Sequence, residues 1–315
     1  MSDRIATREA YGNVLIKLGE MNPNVVVLDA DLSKSTKTAG FAKKFPERFF
    51  QMGIAEADMM ATAGGLATAG KIAFASTFAV FATGRAYDQV RNTIGYPGLN
   101  VKIAATHAGP TVGEDGGSHQ SIEDLTLMRV IPGMTVLNPA DAVETEKLIL
   151  AAAEHEGPVY IRLGREPVPV IFEADYKPVI GKAIRLREGK AVSIIATGIM
   201  VEKALLAADT LNQKGISARV INIHTLKPID NAEIIKAAWE TGAIVTVEEH
   251  SVIGGLASAV AEVVVQNHPV PMEFIGMKDC FGQSGKPAEL LCDYGLMPEN
   301  IVSAVEKVIG RKTAQ

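Results

Sequence analysis

The sequence predicts an α/β protein of two doubly wound domains, the first over residues 1–165 and a smaller second over 190–315, with a linker at 166–189. Three observations carry this reading. Short apolar runs alternate with helical patterns along the chain. The runs are continuously apolar rather than alternating, as expected of strands in a sheet covered on both faces. The alternation then stops at Pro167, Pro169 and Pro178, which punctuate a charged stretch, and restarts beyond them. A length of 315 residues fits two domains.

In the first domain, residues 7–20 read as a helix, 25–28 as a buried strand and 29–33 as a polar loop just past it. A strand at 49–52 precedes a helix rich in Ala and Gly at 56–69. A strand at 72–75 precedes a helix at 82–94, and a strand at 101–105 runs into a long polar loop. Strand 135–137, helix 140–155 and strand 159–163 complete the unit. The second domain reads as strands 191–196, 218–223, 243–247 and 271–275 with helices 201–214, 255–266 and 298–309. No internal repeat or low-complexity tract is present. Ligands of open α/β sheets gather beyond the carboxyl ends of the strands. The loops at 29–35, 53–56 and 107–119 are therefore expected on one rim.

Composition narrows the function class. With 31 basic and 36 acidic residues the formal charge is −5, which gives no broad electrostatic basis for nucleic-acid binding. Cys280 and Cys292 are too far apart for a metal knuckle and do not suggest a disulfide framework. Only Lys278 lies near Cys280, which reads as an inert thiol. Met1-Ser2-Asp3-Arg4 leads straight into the first helix, with no signal peptide and no uninterrupted apolar stretch of membrane-spanning length. A cytoplasmic enzyme or enzyme subunit, with no membrane partner, is expected.

The richest segment is 106–120, with four glycines, His107, His119, the adjacent acids Glu114 and Asp115, and hydroxyls at Thr111 and Ser118. Long polar loops in compact domains are often functional. The spacing of its histidines and acids matches none of the usual zinc patterns, so proton transfer or hydrogen bonding to substrate is expected rather than a metal. Glu56 reads either as a carboxylate favoured by a helix N-terminus or as an acid sharing a proton with a ligand nitrogen. Phe78 and Phe81 read either as core filling or as a flat surface for an aromatic ring. Arg8, Ser35 and Arg165 read singly as surface residues and together as an anion clamp. No Gly-x-Gly-x-x-Gly or Walker loop follows a strand.

These motifs converge on a family. Ala6-Thr7-Arg8, Asp29-Ala30-Asp31-Leu32, Gly53-Ile54-Ala55-Glu56, Ser76-Thr77-Phe78 and Val112-Gly113-Glu114-Asp115-Gly116-Gly117-Ser118-His119-Gln120 occur in the order found in transketolases. Ile195-Ala196-Thr197-Gly198 and Glu248-Glu249-His250 with Gly254-Gly255 extend the likeness into the second domain. Nearly end to end, the sequence resembles the pyrimidine-binding and C-terminal domains of that family. The resemblance implies thiamine diphosphate and Mg²⁺ as cofactors and transfer of a two-carbon ketol unit between ketose and aldose phosphates. It implies Glu56 as the glutamate that hydrogen-bonds the pyrimidine nitrogen, Phe81 as the stacking ring and Phe78 as a lining residue. Asp115 and His119 resemble contacts to the sugar's oxygens, and His107 a contact nearer the phosphate. Arg8, Ser35 and Arg165 match phosphate-binding positions, and Asp31 an acid near the cofactor at the subunit interface.

The sequence also departs from the pattern. Ala55 and Ala57 flank the glutamate, Gly84 replaces a frequent aromatic, and Ala108 replaces a frequent aspartate. The alanine flanks resemble 1-deoxy-xylulose-5-phosphate synthases and 2-oxo-acid dehydrogenase beta subunits, which remain alternatives alongside a non-catalytic scaffold. Nothing matches the diphosphate-binding domain with its Gly-Asp-Gly. The resemblance therefore implies one subunit of a split enzyme, inactive alone, completed by a separate N-terminal subunit that holds Mg²⁺, in an α2β2 assembly.

Overall fold

The computed structural model describes residues 4–313; Met1, Ser2 and Asp3 of the expected N-terminal lead lie outside the described residues. The first domain is built on a seven-stranded sheet in the order Thr225–Lys227, Thr135–Leu137, Val159–Arg162, Val101–Thr106, Ile72–Phe78, Val25–Asp29, Phe49–Gln51. All but the first of these pair in parallel. Val25–Asp29 and Val101–Thr106 are buried at every residue, because helices cover both faces of the sheet. Even Lys102 is buried, its Nζ reaching the carbonyls of His155 and Gly157 at 2.6 and 2.8 Å. Helix Thr7–Met21 lies on one face, with Tyr11 donating or accepting at the Ser76 hydroxyl at 2.6 Å.

The second sheet has five strands in the order Met272–Met277, Ile244–Ser251, Val192–Ala196, Ala218–Asn222, Ile184–Arg187. The last is antiparallel and arises from the stretch expected as linker. That stretch is fastened throughout. Pro167–Pro169 pairs antiparallel with Arg4–Ala6. Asp141, which caps helix Ala142–Glu154 through the Glu144 N–H, also accepts from the N–H groups of Ile171 and Phe172 at 2.6 and 2.9 Å. Glu144 is fully buried and accepts from Ala140 N–H, Tyr176 O–H and Asn222 Nδ2, so one carboxylate joins first domain, linker and second domain. Short antiparallel strands such as these have too few residues to show a period, so the pattern missed them.

The expected helix at 82–94 takes an unusual form. It consists of two widened turns, Phe81–Arg85 and Gln89–Gly95. Within them Ala86 N–H bonds to the Phe81 carbonyl at 3.2 Å and Tyr96 N–H to the Arg91 carbonyl at 2.9 Å, each five residues back. Such turns re-aim side chains and cluster at functional sites. No helix among the described residues is long and apolar enough to cross a membrane.

Between the second sheet and the strand that joins the first stands His224, 1% exposed, its carbonyl bonded by Asn138 N–H at 2.8 Å. Burial pushes its imidazole down from 6.5 to about 4. Between those values the unfolded chain binds this proton and the folded chain does not, so the contribution is intact above pH 6.5 and is lost as pH falls toward 4. Comparing urea midpoints of wild type and His224→Asn across that window should show the wild type losing ground on acidification, by up to about 1.4 kcal/mol per pH unit.

Candidate active site

Ile72–Phe78 and Val101–Thr106 pair so that Phe78 lies beside Thr106, and the chain leaves both strands on the same rim. Phe78 is therefore stacked on His107, centroids 3.8 Å apart and planes 20° apart. Phe81 lies parallel to Phe78 at 5.8 Å. His119 meets Phe81 edge-on at 5.4 Å, with its Nδ1 3.0 Å from the Ser118 hydroxyl. The two phenylalanines and two histidines thus form one aromatic wall, in which Phe78 is itself buried.

Glu56 opens helix Glu56–Thr68 on the same rim and is 2% exposed. A helix N-terminus favours its carboxylate. Its Oε1 accepts from Arg85 Nη1 at 2.9 Å, and that guanidinium lies 4.3 Å over the Phe81 ring. Arg85 itself is half-exposed at the end of the first widened turn. A flat cationic N–H donor thus rests on Phe81 while bonding to Glu56. Sequence reasoning passed over Arg85, because only the widened turn aims it at the glutamate.

The other end of the wall is electropositive. Arg8 Nη1 donates to the Ser35 carbonyl at 3.0 Å and faces His107 Nε2 at 3.2 Å. An arginine can only donate, so Nε2 is the acceptor and the proton sits on Nδ1, beside the Thr106 hydroxyl at 2.8 Å. Burial first, then Arg8 and Arg165, push the His107 imidazole down to about 3, which keeps it neutral. His107 holds φ at 56°, a left-handed conformation uncommon outside glycine that turns its ring back into the wall. Burial and the nearby Arg165 also lower Arg8, whose buried Nε has no partner among the described residues.

Not all expected members converge. Ser35 contributes its carbonyl to Arg8 rather than its hydroxyl. Arg165 Nη1 donates to the Val112 carbonyl and stands 3.6 Å from Glu114 and 3.8 Å from Asp115, so Asp115 is tied to an arginine at the loop's surface. Asp31 is exposed at φ 64°, its N–H held by Gln51 Oε1 at 2.7 Å. The buried acid of that loop is Asp29, which accepts from Leu32 N–H and the hydroxyls of Thr36 and Thr38. Burial raises its carboxyl. An acid closing a wholly apolar strand was the signal for it. Gly84 faces open space, and Ala108 is buried beside Ser121. No group of three or more potential metal ligands occurs among the described residues.

The second domain also reaches this loop. Glu249, at the end of the strand Ile244–Ser251, accepts from the Thr111 N–H and O–H at 2.8 and 2.5 Å. Burial pushes its carboxyl up to about 7, against the pull of Arg162 and Thr111.

Comparison with known proteins agrees with this architecture. Residues 3–170 match the family model for the transketolase pyrimidine-binding domain, and residues 181–301 match that for the transketolase C-terminal domain. A Methanocaldococcus jannaschii protein named as a transketolase C-terminal section is 52% identical, over 95% of this chain and 94% of its own length. A 6-deoxy-6-sulfo-D-fructose transketolase subunit of Clostridium sp. strain MSTE9 is 44% identical over 97% of this chain and 95% of its own. Among solved structures, an inactive beta4 tetramer of a split-gene transketolase is 58% identical with a TM-score of 0.92, covering 98% of this chain and 99% of that one. The chain belongs to the transketolase family, as a C-terminal subunit made of its pyrimidine-binding and C-terminal domains.

Proposed function

We propose that this chain is the pyrimidine-binding half of a two-subunit transketolase that moves a two-carbon ketol unit between ketose and aldose phosphates. The observation that carries the proposal is the guanidinium of Arg85, stacked on Phe81 and bonded to Glu56. It presents a flat cationic face with an N–H directed at a buried acid, as an aminopyrimidine protonated on its ring nitrogen does, so the residues present fit that part of thiamine diphosphate.

Thiamine diphosphate, when bound, supplies the acidic carbon that adds to the ketose carbonyl. In this reading Glu56 takes the hydrogen bond of the pyrimidine ring nitrogen and holds or shares its proton where water is excluded. Phe81 provides the stacking face, with Phe78 behind it. His119 faces the sugar's oxygens. Neutral His107, with Arg8 and Arg165, holds the anionic end; two guanidiniums around an uncharged imidazole suit a phosphate or a comparable anion. Asp115 contacts a hydroxyl once Arg165 turns toward that anion. The diphosphate and its Mg²⁺ are assigned to a separate N-terminal subunit in an α2β2 assembly. Similarity to an inactive beta4 tetramer of a split-gene transketolase supports the need for such a partner.

Reconstitution with that partner tests the assignment. Glu56→Ala should lower kcat by about 10²-fold or more, and retention of full ketol transfer contradicts the role. His119→Ala should change KM for the ketose phosphate or kcat, and unchanged values of both contradict its contact. The purified chain alone should be inactive; xylulose 5-phosphate formed by it alone from fructose 6-phosphate and an aldose phosphate rules out the split arrangement. For binding, Arg85→Ala removes a half-buried ion pair and a ring contact, each worth about 0.5–1 kcal/mol. Calorimetry on the isolated chain should then show thiamine binding tightened by about five- to thirtyfold. Unchanged or weaker binding shows that Arg85 does not stand in the pyrimidine's place.

A further inference from the structure

The outer side of the loop Pro110–Asp115 faces the site, but its inner side is fastened to the second domain. Glu249 Oε1 accepts both the N–H and the O–H of Thr111. The approach is close enough that a Cβ on Gly109 would lie 2.4 Å from the Glu249 carboxylate, and Gly109 sits at φ 79°. Further along, the Ser284 hydroxyl donates to the Glu114 carbonyl at 2.7 Å. Gln120 Nε2 donates to the Pro110 and Gly113 carbonyls and, across the domains, to that of Gln283 at 2.9 Å. A Cβ on Gly117 would lie 2.5 Å from the Gly282 carbonyl oxygen, so backbone meets backbone there. Behind Glu249, its Oε2 stands 3.8 Å from Arg162 Nη1, while Arg162 Nη2 donates to the Glu249 carbonyl at 2.7 Å.

We infer that Glu249 is a positioning residue through which the second domain sets the substrate-binding loop. The chain of contact is short. Glu249 fixes Thr111, and the next residue, Val112, offers its carbonyl to Arg165. Arg165 in turn lies against Asp115 and, with Arg8, surrounds His107 with positive charge. A loop free to shift at Thr111 therefore moves the anion-binding arginine and the hydroxyl-binding acid together. The carboxylate is required as such: an amide at 249 keeps an acceptor for Thr111 only by turning its NH₂ toward the Arg162 guanidinium, donor against donor. The inference rests on the proposed ketol transfer for its kinetic consequence, but not for its structural one.

The experiment has two arms. In the first, hydrogen exchange is followed on the isolated chain. Amides of residues 109–116 should exchange at least about tenfold faster in Glu249→Gln and Thr111→Val, with Thr111→Ser protected as in wild type. Unchanged exchange in both variants overturns the inference. In the second, the reconstituted complex is assayed with active-site concentration determined independently. Glu249→Gln and Thr111→Val should each raise KM for the ketose phosphate about tenfold with kcat within about twofold, and Thr111→Ser should restore the wild-type KM. A double variant no worse than either single one places both residues on one path. Loss confined to the amount of active enzyme, at unchanged KM, assigns Glu249 to stability alone and overturns the inference. If wild-type complex shows no ketol transfer while the exchange arm succeeds, the proposed function fails and the loop anchor stands.

Discussion

Everything on this rim depends on a guanidinium that water does not reach. Arg162 ends a central strand of the first sheet and is 4% exposed. Its Nε donates to Asp124 at 2.9 Å, and Tyr160 donates to the same oxygen at 2.6 Å. Asp124 opens the helix that follows the substrate loop, and Glu249 belongs to the other sheet. A buried charge is tolerable only when paired, and removing one partner of such a pair typically costs about 3–5 kcal/mol. That penalty ties strand, loop exit and second domain into one arrangement. Stability is the smaller part of what it secures, since apolar residues of similar volume often serve stability as well. What they cannot supply is direction: Arg162 specifies which oxygens face the loop.

The site is preorganised in charge as well as in shape. Arg8 can only donate, so it selects the tautomer of His107, and burial keeps that ring neutral. The two arginines at this end of the wall are permanent cations, and they add to burial in keeping a second proton off His107. A protonated histidine between two arginines would add a third charge to a crowded space. Stacking on Phe78 and the left-handed backbone at residue 107 hold the ring in that role.

Much of the fold was legible because parallel strands buried on both faces must be largely apolar. Val25–Asp29, Val101–Thr106 and Val192–Ala196 announced themselves in this way. The candidate site was legible where a residue lies at or soon after a strand's carboxyl end, as Phe78, His107 and Glu56 do. What stayed hidden depends on geometry without a period. Arg85 is aimed by a turn five residues wide, and nothing in a 3.6-residue pattern encodes that. Ser35 was expected in an anion clamp with Arg8 and Arg165, but it meets Arg8 through its backbone carbonyl, which a side-chain pattern does not encode. Glu249 was visible as part of a motif, yet its target, Thr111, lies 138 residues away in sequence, and only the fold brings them together.

The strand Thr225–Lys227 has a consequence for synthesis. It covers the outer edge of Thr135–Leu137, whose backbone groups would otherwise be free to recruit another chain. Three strands of the second sheet, Ile184–Arg187, Val192–Ala196 and Ala218–Asn222, are translated before it. While the ribosome works through them, the first sheet stands one strand short, with an adhesive border facing its neighbours on the same message. A gene cut at the linker would make that state permanent. The two domains differ in shape and in role, yet the first closes its sheet only with a strand borrowed from the sequence of the second.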